Sequence, residues 1–501
     1  MSKAPLQIEA QVYYNYIGGE WVKSSSGKTY HTVNPANKNQ ILGYFQESTR
    51  EDAKLGIQAA HDSFQFWRDT PAPIRGEVLF KAWILMKERA EELARTMTLE
   101  EGKPLADAKG EVKRSLNVLE FMAGEGRRLV GQTIPSELKN NFAYTIKKPL
   151  GVVAIITPWN FPLAIATWKI SPALVSGNTV AFKPASSTPL SAINLVKLLV
   201  DAGLPKGVLN MVTGPGGTVG MELVENPLVR AISVTGHTET GAMIYEKASR
   251  MLKKVQCEMG GKNAVVVLED ADLDLAVEGI VQGAFGSTGQ RCTSTSRVIV
   301  EEKIKDIFVR RLLERTKRLK IADGFTEGVD VSPLASDSQF NKVMSYIEVG
   351  KQEGATLLYG GKKPSGAEYE NGYYVEPSIF TDVRPEMRIA QEEVFGPVLP
   401  IMVAKDSDEA INIANSVRYG LSASIYTNDI TKAFKFTDMI EVGMIHINSP
   451  TLGGEAQLPF GGIKASGVGI REQGSKAIEF YTDEIVVYVD YTGRRREAKF
   501  I

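Results

Sequence analysis

The chain is 501 residues long and nearly charge-balanced, with 58 Lys and Arg, 59 Asp and Glu, and a formal net charge of −1 at pH 7. This length allows two or three domains with ample cores, and the charge balance gives no reason to expect a nucleic-acid partner. The two cysteines cannot build a disulfide framework, the N-terminus has no signal-peptide pattern, and the most apolar stretch, residues 151–182, is interrupted by prolines and Lys169. We therefore predict a cytoplasmic protein without a membrane span.

Helical patterns dominate residues 50–130, with amphipathic spacing at 50–66 and 75–96. From residue 151 to residue 270, short β-branched or apolar runs alternate with helical patterns. Strands are predicted there at 152–157, 179–183, 208–213, 231–235 and 264–268, and helices at 163–175, 190–202, 219–225 and 240–252. This alternation predicts an α/β fold of parallel βαβ units, whose ligands bind beyond the carboxyl ends of the strands.

A second alternating block follows residue 292 and predicts a separate α/β domain. Its strands are expected at 297–300, 375–380 and 423–427, and its helices at 304–319 and 407–417. The chain then ends on an apolar strand at 484–491. Because nothing follows for this strand to pair with, we expect another subunit to cover its edge.

Two glycine-bearing turns are candidates for phosphate binding. Residues 214–220 and 234–241 each follow a predicted strand and precede a helix. Glycine lets the backbone approach a pyrophosphate, and a helix N-terminus favours an anion. Neither turn is a clean G-x-G-x-x-G, so a plain tight turn is the alternative, but two such turns in tandem favour a dinucleotide site. Lys183, at the end of a predicted strand, is either a ligand of ribose or phosphate or a solvated lysine.

Three side chains that lie close to glycine or proline residues in the sequence are candidates for catalysis: Cys292, Glu258 and Asn160. Small residues surround Cys292, which argues against an inert thiol in a tight apolar core, the commoner fate of a cysteine. Glu258 is either a base or a paired structural carboxylate. Asn160, between proline-bounded aromatics, is either a turn residue or an amide that donates to an oxyanion. The joint presence of all three favours catalysis.

The scattered histidines supply no partner for the thiol, so activation of Cys292 must come from local dipoles, a cationic neighbour or a bound cofactor. Residues 270–274 resemble the start of a calcium loop, but Leu275 and Val281 stand where that loop requires glycine and glutamate. With no clustered His or Cys, no metal site is predicted.

Six motifs, in order along the chain, together resemble the aldehyde dehydrogenase superfamily over essentially its whole length. They are Pro-Trp-Asn-Phe-Pro at 158–162, Lys-Pro-Ala at 183–185, Glu-Met-Gly-Gly-Lys at 258–262, Gly-Gln-Arg-Cys at 289–292, Glu-Glu-Val-Phe-Gly-Pro at 392–397 and Pro-Phe-Gly-Gly-Ile-Lys at 459–464.

The resemblance implies a Rossmann-type cofactor domain, an α/β catalytic domain and a covalent mechanism. Cys292 would attack the aldehyde as a thiolate, and the Asn160 side chain and the Cys292 backbone N–H would hold the oxyanion. After hydride transfer to NAD or NADP, Glu258 would activate water to release the acid from the thioester. The implied cofactor-binding residues are Thr157, Pro158, Trp159, Lys183, Ser186, Gly216, Gly220, Thr235, Gly236, His237, Gly260, Glu393 and Phe395. Among them, Lys183 and Glu393 would bind ribose groups and Phe395 would pack near the nicotinamide ribose.

Two departures from the family pattern concern the cofactor. NAD-preferring members often carry glutamate after Lys-Pro-Ala/Ser, and this chain has Ser186. Serine removes a charge that would repel a 2′-phosphate, so we expect NADP to be accepted and preferred over NAD. His237 stands where the family usually has a serine after Thr-Gly, so the phosphate contacts of other members cannot be assigned directly to this position.

The substrate pocket is expected to include Phe161, Trp168, Arg291, Thr293 and Phe460. Trp168 stands where succinic semialdehyde dehydrogenases have a carboxylate-binding arginine. Residues 292–297 and 454–460 resemble the 2,5-dioxopentanoate (α-ketoglutarate semialdehyde) dehydrogenases, so that aldehyde ranks first.

Four alternatives stay open. Broad oxidation of aliphatic or aromatic aldehydes in an apolar tunnel ranks second, and non-phosphorylating glyceraldehyde oxidation third. Glu258 argues against a CoA-acylating enzyme, which need not keep a hydrolytic base, and the retained thiol argues against an inactive structural relative.

The domain organisation is predicted from the same resemblance. Residues 1–130 and 151–259 form the dinucleotide-binding domain, 260–477 the catalytic domain, and 131–150 with 478–501 an oligomerisation element. The family pairs that last strand with a neighbouring subunit, so a homotetramer built as a dimer of dimers is expected.

Overall fold

The computed structural model describes residues 9–494 and consists of two large sheets, each flanked by helices. The helices are α1 (Arg50–Asp69), α2 (Ala72–Glu88), α3 (Ala90–Glu101), α4 (Leu105–Glu125), α5 (Ala164–Val175), α6 (Pro189–Asp201), α7 (Met221–Glu225), α8 (Thr238–Ser249), α9 (Leu273–Phe285), α10 (Lys305–Thr316), α11 (Asp337–Gln352), α12 (Ala367–Glu370), α13 (Arg388–Gln391), α14 (Ser407–Asn415), α15 (Ile430–Met439) and α16 (Lys476–Phe480).

The strands are β1 (Asn15–Ile17), β2 (Glu20–Val22), β3 (Thr29–Asn34), β4 (Asn37–Gln46), β5 (Thr133–Ile134), β6 (Asn141–Pro149), β7 (Val152–Ile156), β8 (Thr179–Lys183), β9 (Leu209–Met211), β10 (Val229–Thr235), β11 (Lys254–Glu258), β12 (Ala264–Val267), β13 (Arg297–Glu301), β14 (Thr356–Tyr359), β15 (Ser378–Thr381), β16 (Val398–Ala404), β17 (Tyr419–Gly420), β18 (Ser422–Tyr426), β19 (Met444–Ile447), β20 (Ile463–Lys464), β21 (Gly467–Val468) and β22 (Thr482–Asp490). Most predicted elements therefore exist with ends shifted by a few residues.

The first sheet has the order β2-β1-β9-β8-β7-β10-β11-β21. Its centre, from β9 to β11, is parallel, which confirms the predicted α/β class. The chain builds from β7 outward through β8 and β9, and then returns to place β10 on the other side of β7. At such a reversal the loops after neighbouring strands diverge and leave a crevice for ligands. This crevice lies beyond Ile156 and Thr235.

The second sheet has the order β14-β15-β16-β13-β12-β18-β19 and is parallel except for β14. The alternation grouped residues 264–268 with the strands of the first block, whereas the predicted domain boundaries placed them in the catalytic domain. The grouping by alternation is wrong, because β12 pairs with β13 and β18 in the second sheet. The strand that does extend the first sheet is β11, which was not predicted. Both segments are short, and an apolar run does not reveal which sheet it joins.

One predicted helix is in fact two. The pattern at 75–96 crosses a break at Arg89, whose ψ of 13° ends α2 and precedes α3. Arg89 forms an ion pair with Asp201 at 2.7 Å, at the end of α6. The hydrophobic spacing continues through the break, so a periodic pattern alone merges the two helices.

A third sheet stands apart, with the order β22-β6-β5. Strand β22 pairs antiparallel with β6 along its whole length, from Thr482 opposite Pro149 to Asp490 opposite Asn141. The strand therefore has an intrachain partner on one side, and its other side is an edge of the sheet. Val486 and Tyr488 on β22 are exposed.

Between residues 9 and 494, no helix combines the length and apolarity needed to cross a membrane. Over the same range, no group of three or more His, Cys, Asp or Glu side chains is placed to hold a metal ion. Both cysteines are free thiols.

Candidate active site

A cleft opens at the reversal point of the first sheet, where the loops after β7 and β10 face loops of the second. Its walls include two of the three predicted catalytic residues, Cys292 and Asn160, and eight of the predicted cofactor-binding residues, whereas Glu258 is not among the lining residues. The lining residues are Pro158, Trp159, Asn160, Ile165, Thr235, Gly236, His237, Met259, Gly260, Cys292, Gln339, Lys342, Glu393 and Phe395. Of the two strand–turn–helix units that the sequence indicated, the one at 234–241 lines this cleft and the one at 214–220 does not.

Cys292 lies on a strained loop that follows α9. Ser287 and Thr288 have φ angles of 47° and 56°, in the left-handed region that L-residues rarely occupy. The Asp107 carboxylate holds this turn by accepting from the Ser287 backbone N–H at 3.0 Å and from its hydroxyl at 2.6 Å. The Asn263 amide donates to the Cys292 carbonyl at 2.7 Å. The loop backbone is fixed on both sides, and the half-buried thiol faces the cleft.

Asn160 is the residue on β7's carboxyl side that reaches the cysteine loop. Its side-chain amide donates to the Gln290 carbonyl at 3.1 Å. An amide nitrogen carries two hydrogens, so the second remains for a ligand beside Cys292. A donor fixed in this way beside a nucleophile is suited to stabilise an oxyanion.

A buried ion pair holds the Asn160 backbone in place. Lys103 donates to the Asn160 carbonyl and to Glu111, both at 2.6 Å, and the lysine and glutamate side chains are inaccessible to solvent. The other Glu111 oxygen accepts from the first backbone N–H groups of α5, those of Leu163 and Ala164, at 2.9 and 3.0 Å. Glu111 therefore serves as the anionic cap of α5.

Glu258 ends β11 and is buried, with neither carboxylate oxygen hydrogen-bonded. Burial raises the pKa of this carboxyl well above its usual range, and the Glu472 charge raises it further, while Lys169 opposes the shift. Lys169 pairs with Glu472 and donates to the Ser233 hydroxyl at 2.9 Å. A carboxyl that is buried, unpartnered and shifted in this way is suited to accept a proton at neutral pH.

The same environment acts on the thiol. Burial raises the pKa of Cys292 well above its usual range, and the Glu258 and Glu393 charges raise it further. Arg114 acts in the opposite direction. The thiol therefore holds its proton in the free protein, and a nearby base must take that proton before Cys292 can attack a carbonyl.

Close backbone packing brings the glutamate and cysteine loops together. A Cβ at Gly261 would lie 2.9 Å from the Cys292 carbonyl, and a Cβ at Gly260 would collide with the Glu393 carboxylate. Glu393 also accepts from the Gly261 N–H at 2.9 Å. Only glycine fits at these two positions.

The residues beyond β8 and β10 fit a dinucleotide. Lys183 is buried and donates to the Pro184 carbonyl at 3.0 Å, and burial lowers the pKa of its ammonium to about 8. A Cβ at Gly220 would contact the Lys183 side chain at 3.5 Å. The Thr235 hydroxyl is buried without a hydrogen-bond partner. A buried cation and a free hydroxyl beside a helix start are what phosphate and ribose groups require.

The remaining cofactor-side residues take three arrangements. Trp159 and Phe395 meet edge to face, with ring centroids 5.4 Å apart. Gly216 begins a short π-helical turn, Gly216–Gly220, ahead of α7. Thr157 donates its backbone N–H to the Lys183 carbonyl at 3.2 Å, which joins the ends of β7 and β8.

Ser186 and His237, the two departures from the family pattern, are both exposed. The Ser186 hydroxyl donates to the Gly214 carbonyl at 3.1 Å. His237 caps α8, and its Nδ1 lies 2.6 Å from the Glu239 carboxylate.

The predicted substrate residues are only partly brought together. Trp168 and Phe460 pack with ring centroids 5.4 Å apart. Phe161 instead lies against Lys103, whose Nζ is 4.3 Å from the ring centroid. Arg291 pairs with Asp107 at 3.0 Å. Thr293 is buried, and its carbonyl accepts from Thr451.

Several residues of the site were not predicted as such. Ile165, Met259, Gln339 and Lys342 line the cleft. Outside it, the Lys169–Glu472 pair acts on Glu258, and Arg114 acts on Cys292. The sequence feature that could have indicated a role for Lys169 is its charge, which interrupts the apolar stretch 151–182. Met259 lies within the motif at 258–262, and the others lie outside the recognisable motifs.

Comparison with known proteins agrees with this geometry. The model of the family described as "Aldehyde dehydrogenase family" matches residues 21–487. An alpha-ketoglutaric semialdehyde dehydrogenase of Bacillus subtilis is 48% identical, covering 96% of this chain and 99% of its own. A 2,5-dioxopentanoate dehydrogenase of Saccharolobus solfataricus is 46% identical, with 95% and 99% covered.

The fold is also that of a solved structure. Betaine aldehyde dehydrogenase from Staphylococcus aureus, in complex with NAD+, superposes with a TM-score of 0.94 at 36% identity, covering 97% of this chain and 96% of that one. The resemblance inferred from six motifs is thereby confirmed over nearly the full length. The chain belongs to the aldehyde dehydrogenase family and is an NAD(P)-dependent oxidoreductase that acts on aldehydes.

Proposed function

We propose that this enzyme oxidises 2,5-dioxopentanoate to 2-oxoglutarate, with Cys292 as the nucleophile, Glu258 as the base and Asn160 as the oxyanion donor. The observation that carries the catalytic assignment is a cleft-lining thiol near a buried, unpartnered carboxyl, Glu258, whose charge raises the pKa of the thiol. Relatives whose names specify this aldehyde, at 46 and 48% identity, support the substrate assignment.

Acylation begins with transfer of the thiol proton from Cys292 to Glu258. The thiolate adds to the aldehyde carbon, and the oxygen that becomes an anion is held by the Asn160 amide and the Cys292 backbone N–H. These donors are in place before reaction, so stabilising the anion requires little reorganisation. A nicotinamide cofactor held in the cleft would supply the hydride acceptor, so that loss of hydride from the thiohemiacetal would leave a thioester on Cys292.

Release of the acid requires a base on the same side of the cleft. Glu258 first releases the thiol proton to solvent and is a carboxylate again. It then takes a proton from water, the hydroxide equivalent attacks the thioester carbonyl, and the departing Cys292 thiolate takes the proton back from Glu258. Lys169 and Glu472 form an ion pair with each other, and their charges act on Glu258: Glu472 raises its pKa and Lys169 lowers it. A carboxylate base and hydrolytic release make CoA unnecessary.

The cofactor-binding assignments follow from the same cleft. Lys183 and Glu393 would bind the ribose groups, Phe395 with Trp159 would border the nicotinamide end, and the turns at 214–220 and 234–241 would receive the pyrophosphate. Ser186, which carries no charge, would accept the 2′-phosphate of NADP. We propose that NADP is preferred.

Assembly and location are proposed on separate grounds. The exposed edge of β22 would pair with a neighbouring subunit and give a dimer, and two dimers would give a homotetramer. The sheet of β5, β6 and β22 supports residues 131–150 together with 478–501 as the oligomerisation element. The domain boundaries have one exception, because β21, within the predicted catalytic segment, pairs in the sheet of the cofactor domain. Two free thiols favour the cytoplasm. Residues 495–501 of the predicted oligomerisation element lie outside the described residues.

The first test is an aldehyde panel of 2,5-dioxopentanoate, succinic semialdehyde, glyceraldehyde, hexanal and benzaldehyde. We expect kcat/KM to be highest for 2,5-dioxopentanoate by about tenfold or more. Carboxylate should form without CoA, and Cys292→Ala should lower activity by at least about 1,000-fold. Equal rates for hexanal and benzaldehyde would instead identify a broad oxidiser.

The second test concerns the cofactor. Ser186→Glu should lower kcat/KM for NADP by about 100-fold, because a carboxylate there repels the 2′-phosphate, and should leave NAD nearly unaffected. Ser186→Gln controls for side-chain size without charge. A wild-type enzyme that strongly prefers NAD would refute the proposed preference.

The third test is the pH dependence of acyl release. Glu258 acts as a base only when deprotonated, so deacylation must rise as pH rises through its raised pKa. Glu472→Gln removes a charge that raises this pKa and frees the Lys169 cation, which lowers it. The acidic limb should therefore move to lower pH by about one unit.

The steady rate that follows the burst with p-nitrophenyl acetate reports this step without hydride transfer. Glu479→Gln, an exposed glutamate paired with Lys476, is the control. An unmoved limb, or one displaced to higher pH, would contradict the assignment of Glu258.

The fourth test probes the edge strand. Val486→Lys with Tyr488→Lys places two charges on β22 and should block edge pairing. Light scattering should show a tetramer for the wild type and smaller species for the double variant. A monomeric wild type would refute the proposed assembly.

A further inference from the structure

A buried arginine outside the catalytic trio stands beside the nucleophile. Arg114 projects from α4, and its guanidinium carbon lies 4.6 Å from the Trp168 ring centroid and 5.4 Å from that of Phe460. The two rings are themselves packed together. Trp168 lies on α5, which follows the Asn160 loop, and the charges of Arg114 and Cys292 influence each other.

The guanidinium lacks the partner that a buried cation needs. Within residues 9–494, no ion pair joins Arg114 to a carboxylate, and its Nε is buried with no hydrogen-bond partner. The acidic side chains whose charges influence it are engaged elsewhere, Glu111 with Lys103 and Glu472 with Lys169. Burial lowers the pKa of Arg114 to about 10.

The neighbours of Arg114 fix its position without neutralising it. With the Gln473 amide oriented to satisfy both of its ends, its oxygen accepts from Nη2 at 3.0 Å and its nitrogen donates to the Glu455 carbonyl. Gly454 leaves room for the guanidinium, since a Cβ there would collide with Nη2. Arg114 is therefore held in place by Gln473 and Gly454, but no carboxylate among the described residues pairs with it.

A second buried donor in the same stack is also unpaired. The indole N–H of Trp168 has no hydrogen-bond partner. A guanidinium and an indole N–H can only donate hydrogen bonds, so a ligand that binds both must offer hydrogen-bond acceptors. Leaving such groups without partners carries a large desolvation cost unless a ligand completes them.

We propose that Arg114 is the anchor for the carboxylate of the substrate, and that the Trp168 indole N–H is a second donor to the same α-keto acid end. The inference rests on the proposed function, because it takes the substrate to be an aldehyde with an anionic far end. Arg114 thus occupies, from α4, the role that an arginine at position 168 would have filled from α5. It selects substrate and takes no part in the bond changes.

The test compares substrates that differ only in the anionic end. Arg114→Gln should lower kcat/KM for 2,5-dioxopentanoate by about 100-fold more than it lowers kcat/KM for pentanal, whose smaller decrease reports the lost positive charge near Cys292. Arg114→Lys should recover part of the loss, since the charge returns without the planar fork. Trp168→Phe, which keeps the ring and removes the N–H, should cost about fivefold for the anionic aldehyde alone.

Binding without turnover gives a second readout. 2-Oxopentanoate carries the α-keto acid but no aldehyde, and we expect it to compete with substrate in the wild type. Its Ki should rise in Arg114→Gln by about the same factor as kcat/KM for 2,5-dioxopentanoate falls beyond that for pentanal. Arg128→Gln, an arginine over the Phe121 ring and paired with Glu125, is the matched control, and Tm should report that every variant folds.

The outcomes separate this inference from the proposed function. Equal losses for 2,5-dioxopentanoate and pentanal, with an unchanged Ki for 2-oxopentanoate, would show that Arg114 is structural. A wild type that prefers pentanal would refute the proposed substrate, and the Ki comparison would still decide whether Arg114 binds an α-keto carboxylate.

Discussion

The concentration of acidic groups around one thiol is the constraint on which the rest of this active site depends. The charges of Glu258 and Glu393 both raise the pKa of Cys292, and the Glu472 charge raises that of Glu258. In a buried cleft such repulsion is several times stronger than in water. The protein meets this constraint in two ways: the thiol retains its proton, so that only one member of the Cys292–Glu258 pair is charged at a time, and Lys169 and Arg114 bring positive charge close to them. Nucleophile formation can then be an exchange of one proton between neighbours.

That exchange requires a rigid backbone, and much of the rigidity comes from buried polar pairs. Glu111 caps α5 and pairs with Lys103, and Lys103 in turn holds the Asn160 carbonyl. Removing either member of such a pair leaves an uncompensated charge in the interior, at a cost of about 3–5 kcal/mol. On the opposite wall, the left-handed turn before Cys292 is kept in place by Asp107. Strain and buried charge are both concentrated where the geometry of the site is set.

Sequence patterns were sufficient to single out Cys292, Glu258 and Asn160, the proposed catalytic residues, because each lies in a short contiguous motif on turns that contain glycine or proline. Gly260 and Gly261 illustrate this, since close packing of the glutamate and cysteine loops leaves no space for a Cβ. The residues that tune the site escaped prediction because their partners are remote in sequence. Lys169 and Glu472 are separated by 303 positions, and nothing local to either indicates the other. For the same reason the alternating pattern grouped β12 with the wrong sheet: strand pairing depends on contacts that a local pattern does not contain.

Arg114 connects substrate choice to nucleophile formation through one charge. In the free enzyme its guanidinium favours the Cys292 thiolate. A bound carboxylate would neutralise that field, so an anionic aldehyde would weaken the stabilisation of the thiolate at the moment when it must react. The proton must then pass to Glu258 and not merely be lost to solvent, which makes the buried base essential to acylation as well as to hydrolysis. The binding energy gained at the far end of the substrate offsets this loss, since it positions the carbonyl against Cys292 and the Asn160 amide. An aldehyde dehydrogenase that selects anionic substrates therefore needs both a cation that binds the far end of the substrate, such as Arg114, and a base with a raised pKa, such as Glu258.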